Sequence, residues 1–240
     1  MPTRAVIFDL FHTLTGPESE WSSLPWTSDV LGLDRADWNR ALTANSRWRL
    51  TGEVRDPAEI VRAIARSINP DIPDDLLAQA TAIRQQRFER ALGSIPSSNL
   101  QLLSNLRSRG MRLGLISNAD ASEIVTWSSS PLAGLFDVEV FSCNVGLVKP
   151  DLAIYAECLS QLGVPARDCI FVGDGGANEL IGARQAGLYT VFFSGIIEEL
   201  WPERINTLAA TADTHIRSLS DIMSLPMVLP TDSLVDTRNV

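Results

Sequence analysis

The sequence predicts an α/β protein: a parallel sheet covered by helices on both faces, with an all-helical insertion near the amino end. Three observations carry this reading. A short apolar run at 5–8 ends in an acid, Asp9. The stretch that follows, 17–95, places apolar residues at helical spacing and has no strand signal. From Ser98 onward, apolar runs alternate with amphipathic segments, the pattern of successive βα units.

Taken in order, 5–8 is the first strand. Segments 35–50, 57–68 and 74–92 are predicted helices, the last marked by Leu76, Leu77, Ala80, Ile83, Phe88 and Leu92. Asp34 and Asp56 stand where N-caps belong, and Pro57 suits a first helical turn. The second part reads helix 98–109, strand 112–116, helix 121–128, strand 138–141, helix 151–162, strand 169–172, helix 177–187, strand 189–193, strand 214–217 and helix 218–224. From Pro226 the chain is expected to be irregular, since Pro230 and Asp, Ser and Thr residues follow. The division is therefore a core of 1–15 and 96–225, an insertion of 16–95 and a tail of 226–240. An insertion directly after the strand that carries Asp9 overhangs the strand ends, where open α/β sheets bind ligands. That makes it a natural lid.

The chain has 240 residues, 45% of them hydrophobic, enough for a sizeable core. A net charge of −9 argues against a surface for nucleic acid or anionic membrane. Cys143, Cys158 and Cys169 show no metal-site spacing, and an odd, sparse count fits reduced thiols. No apolar stretch is long enough for a signal-peptide core or a membrane-spanning helix. A cytoplasmic monomer or homodimer acting on a small molecule is expected. One count is unusual: of 20 basic residues, Lys149 is the single lysine.

The predicted strand ends collect a consistent set of polar residues. The first supplies Asp9 and Thr13, the second Ser117 and Asn118. The loop NVGLVKPD supplies Lys149, and GDGGANE supplies Asp174 and Glu179. Carboxylates converging on one point repel each other unless a cation lies between them. Magnesium favours one or two carboxylates with waters and phosphate oxygens. Ser117, nearby backbone N–H groups and Lys149 would then hold a phosphoryl group. A lysine suits this role as a compact point charge, which arginine's planar fork does not reproduce.

These four segments, in this order, resemble the motifs of the haloacid dehalogenase-like hydrolases over about residues 4–218. The resemblance implies a Rossmann-like core with a helical cap at 16–95. It implies that Asp9 attacks the substrate and forms a covalent aspartyl intermediate, later hydrolysed by water. Ser117 and Asn118, with Thr13 supporting the loop, would bind the transferred group, and Lys149 would neutralise charge. Asp9, Asp174, Glu179 and the backbone carbonyl of Phe11 would serve Mg2+.

Phe11 departs from the phosphatases of that family, which carry a second aspartate there to protonate the departing alcohol. The carbon–halogen-cleaving branch has an aromatic tyrosine at this place and uses no metal, so Phe11 raises the reading of a metal-independent 2-haloacid dehalogenase. The acids of GDGGANE favour a magnesium-dependent phosphatase instead. Three routes reconcile Phe11 with a phosphatase family. The leaving group needs no proton, as with a phenolate or an acyl phosphate; or His12 is the acid–base, histidine being the side-chain type most used for that task; or hydrolysis is lost and a ligand-binding protein remains. In the insertion, Trp21, Trp26, Trp38 and Trp48 read chiefly as core, with one or two able to line a pocket. Arg47 and Arg49 read as a solvated helix face, with substrate binding as the alternative.

Overall fold

Side chains alternate along β1 (Ala5–Phe8), so Val6 and Phe8 enter the apolar layer on one face of the sheet and Ala5 and Ile7 the layer on the other. All four are fully buried, as a parallel sheet covered on both faces demands. The computed structural model describes residues 3–17 and 22–228. Five further strands are β2 (Arg112–Ser117), β3 (Val138–Phe141), β4 (Cys169–Gly173), β5 (Tyr189–Phe193) and β6 (Thr214–Ile216). The order is β3-β2-β1-β4-β5-β6, parallel throughout. Strand β1 is central, with Phe8 beside Leu115 of β2 and Val172 of β4. The chain order reverses on either side of β1, and ligands bind such sheets at that crevice.

Between β1 and β2 lie α1 (Thr27–Leu31), α2 (Arg35–Thr43), α3 (Arg47–Leu50), α4 (Pro57–Ile68), α5 (Asp74–Gly93) and α6 (Ser97–Ser108). Asp34 accepts from the Ala36 and Asp37 amides and Asp56 from the Ala58 amide, so both caps are as expected. Ile60, Val61, Ile64 and Ala65 of α4 pack with Leu31, Trp38 and Leu77 in an apolar cluster separate from the two sheet layers. Helix α6 belongs to the sheet, through Leu102, Leu103 and Leu106. The remaining helices are α7 (Ser142–Val145), α8 (Leu152–Leu162), α9 (Glu179–Gln185), α10 (Gly195–Leu200) and α11 (Ile205–Ala209).

The structure departs from the sequence reading in several places. The helix expected over 35–50 is two helices, broken where Asn45 takes a left-handed φ of 48°, a conformation asparagine tolerates. The helix expected over 121–128 is a run of turns ending in a 3₁₀ segment, Trp127–Ser129. There the Asp120 carboxylate accepts from both the amide and the hydroxyl of Ser122, offering the backbone an alternative to helix. The helix expected from 177 starts at Glu179, because Ala177 and Asn178 are left-handed. Helix α7, directly after β3, and helices α10 and α11, between β5 and β6, were not anticipated, and the helix expected over 218–224 is a 3₁₀ segment, Leu219–Ser224. Residues 226–228 form a turn whose Val228 is buried; the rest of the expected tail, and Trp21, lie outside the described residues. Among the described residues no helix is long and apolar enough to cross a membrane.

Candidate active site

The polar residues expected at the strand ends meet at the carboxyl edge of the sheet. Asp9 follows β1, Ser117 ends β2 and Asp174 follows β4. The Lys149 Nζ lies 2.5 Å from Asp9 Oδ1 and 2.5 Å from Glu179 Oε2. Asp9, Asp174 and Glu179 each offer a carboxylate oxygen, all within 4.8 Å of one another. Thr13 donates its hydroxyl to Asp9 Oδ2 at 3.1 Å. All six residues are buried.

Local backbone explains how the loop after β4 delivers its acids. The Asp174 carboxylate accepts from the Gly176 amide at 2.7 Å, closing a turn, and Glu179 Oε1 accepts from the Gly175 amide at 3.0 Å. Gly175 has a φ of 83°, which glycine adopts without strain. At Gly173 a Cβ would overlap the Glu179 carboxylate, so the strand must end in glycine for that acid to reach Lys149. Tyr155 adds a contact that the sequence did not signal: its hydroxyl donates to the Glu179 backbone oxygen at 2.8 Å.

Electrostatics are dominated by burial. Desolvation, with the Asp174 charge, raises the Asp9 carboxyl against the pull of Lys149. Glu179 is raised well above the ordinary range by burial and by Asp9 and Asp174, Lys149 opposing. Burial works against the Lys149 ammonium, but Asp9 and then Glu179 outweigh it and hold the lysine charged. For Asp174, burial is outweighed by His12, the Gly176 amide and Lys149, so its carboxyl lies below the usual value.

The other expected residues divide. Ser117 is buried, and its hydroxyl, a donor and acceptor, has no partner among the described residues. Asn118 spends its amide on Lys149: its Nδ2 donates to the Lys149 carbonyl at 2.9 Å and its Oδ1 accepts from the Lys149 amide at 2.8 Å. His12 has a φ of 60° and stands with Nδ1 3.7 Å from Asp174 Oδ2, its side chain 37% exposed. Phe11 meets Phe88 edge-on, ring centroids 5.3 Å apart. A cavity of about 320 Å³ opens here between α1, α2 and α5 and the loops after β1 and β2, with Phe11, His12, Trp26, Trp38, Phe88 and Asn118 in its wall.

A second buried charge cluster was missed by sequence reasoning. Arg49 donates to Asp120 at 2.8 Å, and Arg84 donates to Asp120 at 3.1 Å and to Glu123 at 2.5 Å. Arg49 is therefore buried, not on a solvated face; Arg47, two residues earlier, is exposed and paired with Asp151. The available signal was on α5, where Leu77, Ala80, Arg84, Arg87 and Ala91 form one buried stripe with arginines at two of its positions.

An all-oxygen set of converging, partly raised carboxylates with a single ammonium, beside an unpartnered buried hydroxyl, fits a magnesium ion and a phosphoryl group. The comparisons with known proteins agree with the fold. The chain is 30% identical over 126 residues to glyceraldehyde 3-phosphate phosphatase of Methanothermobacter thermautotrophicus, covering 50% of this chain and 55% of that protein. It is 26% identical over 196 residues to the protein of the same name from Methanopyrus kandleri, covering 78% and 82%. The first match spans only about half the relative's length. In structure it superposes on L-2-haloacid dehalogenase from Xanthobacter autotrophicus with a TM-score of 0.63, at 18% identity over 93% of this chain and 98% of that one. An enzyme from Bacteroides thetaiotaomicron in complex with magnesium and inorganic phosphate gives 0.59, at 17% identity over 80% and 94%. The model of the haloacid dehalogenase-like hydrolase family matches residues 3–187, and the chain belongs to that family.

Proposed function

We propose that this hydrolase is a magnesium-dependent phosphatase of small-molecule phosphate monoesters, with Asp9 as the nucleophile. The observation that carries the reading is the charge imbalance around Asp9: three carboxylates and one ammonium, all buried. Asp9, Asp174 and the carbonyl of Phe11 would hold the ion. Glu179, committed to Lys149 and to the Gly175 amide, acts on that site through the lysine. Bound there, magnesium would offset the carboxylate repulsion and neutralise phosphoryl charge. The Asp9 carboxylate attacks phosphorus, oriented by the Thr13 hydroxyl and Lys149; the ester oxygen leaves, and water then cleaves the aspartyl phosphate. The Ser117 hydroxyl and the Lys149 ammonium bind phosphoryl oxygens, and the Asn118 clasp keeps the Lys149 backbone in register.

In this reading residues 16–95 act as the cap and 1–15 with 96–225 as the catalytic core. The buried, free cysteines accord with a cytosolic setting. Whether the protein is a monomer or a homodimer does not alter this scheme.

Phe11 favours a second reading, a metal-independent 2-haloacid dehalogenase, because halide leaves without a proton. A third reading, a binding protein without turnover, would keep the cation site. Assays of 4-nitrophenyl phosphate and 2-chloropropionate, each with magnesium or with chelator, separate the three. Phosphate release abolished by chelator is the expected result. Halide release insensitive to chelator would replace the phosphatase with the dehalogenase, and no turnover with magnesium still bound would favour the binding protein.

A further inference from the structure

We infer that the substrates are phosphate monoesters of phenol-like aromatic alcohols, the aromatic body lying in the cavity between the helical insertion and the sheet. This rests on the phosphatase reading and specifies its leaving group.

The cavity wall includes Phe11, two residues after Asp9 in the chain and in edge-on contact with Phe88 at 5.3 Å. Trp38 and Leu42 continue the apolar lining. A volume of about 320 Å³ lies at the lower end of the range that encloses drug-sized ligands, more than a two- or three-carbon substrate fills. The lining also carries positive charge. Arg87 is fixed by the Leu24 and Pro25 carbonyls, and Arg35 and Arg87 lie over the Trp26 ring at 3.3 and 4.0 Å. An aromatic wall with guanidinium groups suits a planar leaving group that departs as an anion.

The chemistry of departure agrees with the wall. Phe11 has no proton to give. A phenol-type hydroxyl ionises near pH 10, about six units below water and comparable alkyl alcohols, so an aryl oxide leaves without help. The Asp9 carboxylate forms its bond to phosphorus as the phosphorus–aryl oxygen bond breaks, the electron pair leaving on the aryl oxygen. Water then adds to phosphorus, restoring the Asp9 carboxylate. Of the two protons of that water, one stays on the phosphate and the other reaches the aryl oxide through solvent.

The test compares phenyl, 2-naphthyl and benzyl phosphates with magnesium present. Benzyl phosphate keeps the ring but has an alkyl oxygen. Phenyl phosphate is expected to exceed it in kcat/KM by about 10²-fold or more, the contribution a positioned acid would otherwise make. The product 2-naphthol should inhibit the wild-type protein competitively where cyclohexanol does not. Phe88→Leu should raise KM for 2-naphthyl phosphate several-fold and leave inhibition by inorganic phosphate unchanged. Benzyl phosphate turned over as fast as phenyl phosphate, or no inhibition by 2-naphthol, would overturn the aryl assignment with the phosphatase intact. Absence of phosphate release from every ester, 4-nitrophenyl phosphate included, would remove both.

Discussion

Two buried charge clusters lie at the carboxyl edge of this sheet, and they are built on opposite plans. Around Asp120 the charges balance: Arg49 and Arg84 face Asp120 and Glu123, and both Asp120 oxygens accept hydrogen bonds. Around Asp9 they do not: Asp9 and Glu179 share Lys149, Asp174 converges on the same point with His12 3.7 Å away, and the Ser117 hydroxyl has no partner among the described residues. The balanced cluster joins α3 and α5 of the insertion to the loop after β2. The unbalanced one has capacity left over for a cation and an anionic substrate, so the electrostatics alone separate a fastening from a reaction site.

The sharpest way to break this contrast is to neutralise one acid in each cluster. Asp9→Asn removes the proposed nucleophile, and kcat for phosphate release should fall by about 10⁴-fold or more. Because it also removes one of three crowded carboxylates, its melting temperature in chelator should rise by a few degrees, the usual trade between stability and function. Asp120→Asn should do the reverse. It leaves an uncompensated guanidinium in the interior, costing about 3–5 kcal/mol, which denaturant titration would read directly. Equal stability changes of the same sign in the two variants would end the distinction between the clusters.

The pH dependence of stability sharpens the comparison further. The folded-state carboxyls of Asp9 and Glu179 are raised, so their protonated forms favour the fold. That contribution is complete below the ordinary carboxylate range, about pH 4, and is lost as pH climbs through the raised values. In the other cluster the shifts oppose: Asp120 is lowered and adds stability that disappears on acidification, while Glu123 is raised. Melting in chelator should therefore show the wild type losing stability as pH rises from mildly acidic to neutral. The slope should shrink in Asp9→Asn and with magnesium present, and persist in Arg47→Ala. A slope unchanged by Asp9→Asn would mean that this cluster does not control it.

How far the sequence revealed each cluster follows from the range of the contacts involved. Asp9, Ser117 and Asp174 stand where apolar runs stop, so period and position mark them without any knowledge of the fold. Lys149 stood out by rarity of type. The parallel sheet was legible for the same reason, since each strand is a short buried run. The Asp120 cluster joins residues 36 to 71 positions apart, and no local pattern pairs them. Ser122 instead fell inside the helix expected over 121–128, while its bonds to the Asp120 carboxylate were making the turn that prevents a helix. The Asn118 amide was expected on substrate; only the fold shows it clasping the Lys149 backbone.

The smallest expected effect tests the same idea within one short helix. Arg47 and Arg49, both in α3, looked alike in sequence, yet Arg47 pairs with Asp151 at 3.0 Å with 59% and 43% of the two side chains exposed. An exposed pair of this kind contributes about 0–1 kcal/mol and is screened by salt. Arg49 is buried on Asp120, and truncating it leaves a carboxylate short of a partner in the interior. Arg47→Ala should thus be nearly silent in denaturant titration, with any loss vanishing at high salt, whereas Arg49→Ala should cost several times more and keep that cost in salt. If the two substitutions cost the same, water reaches Asp120, and the fastening between insertion and sheet is no drier than the surface.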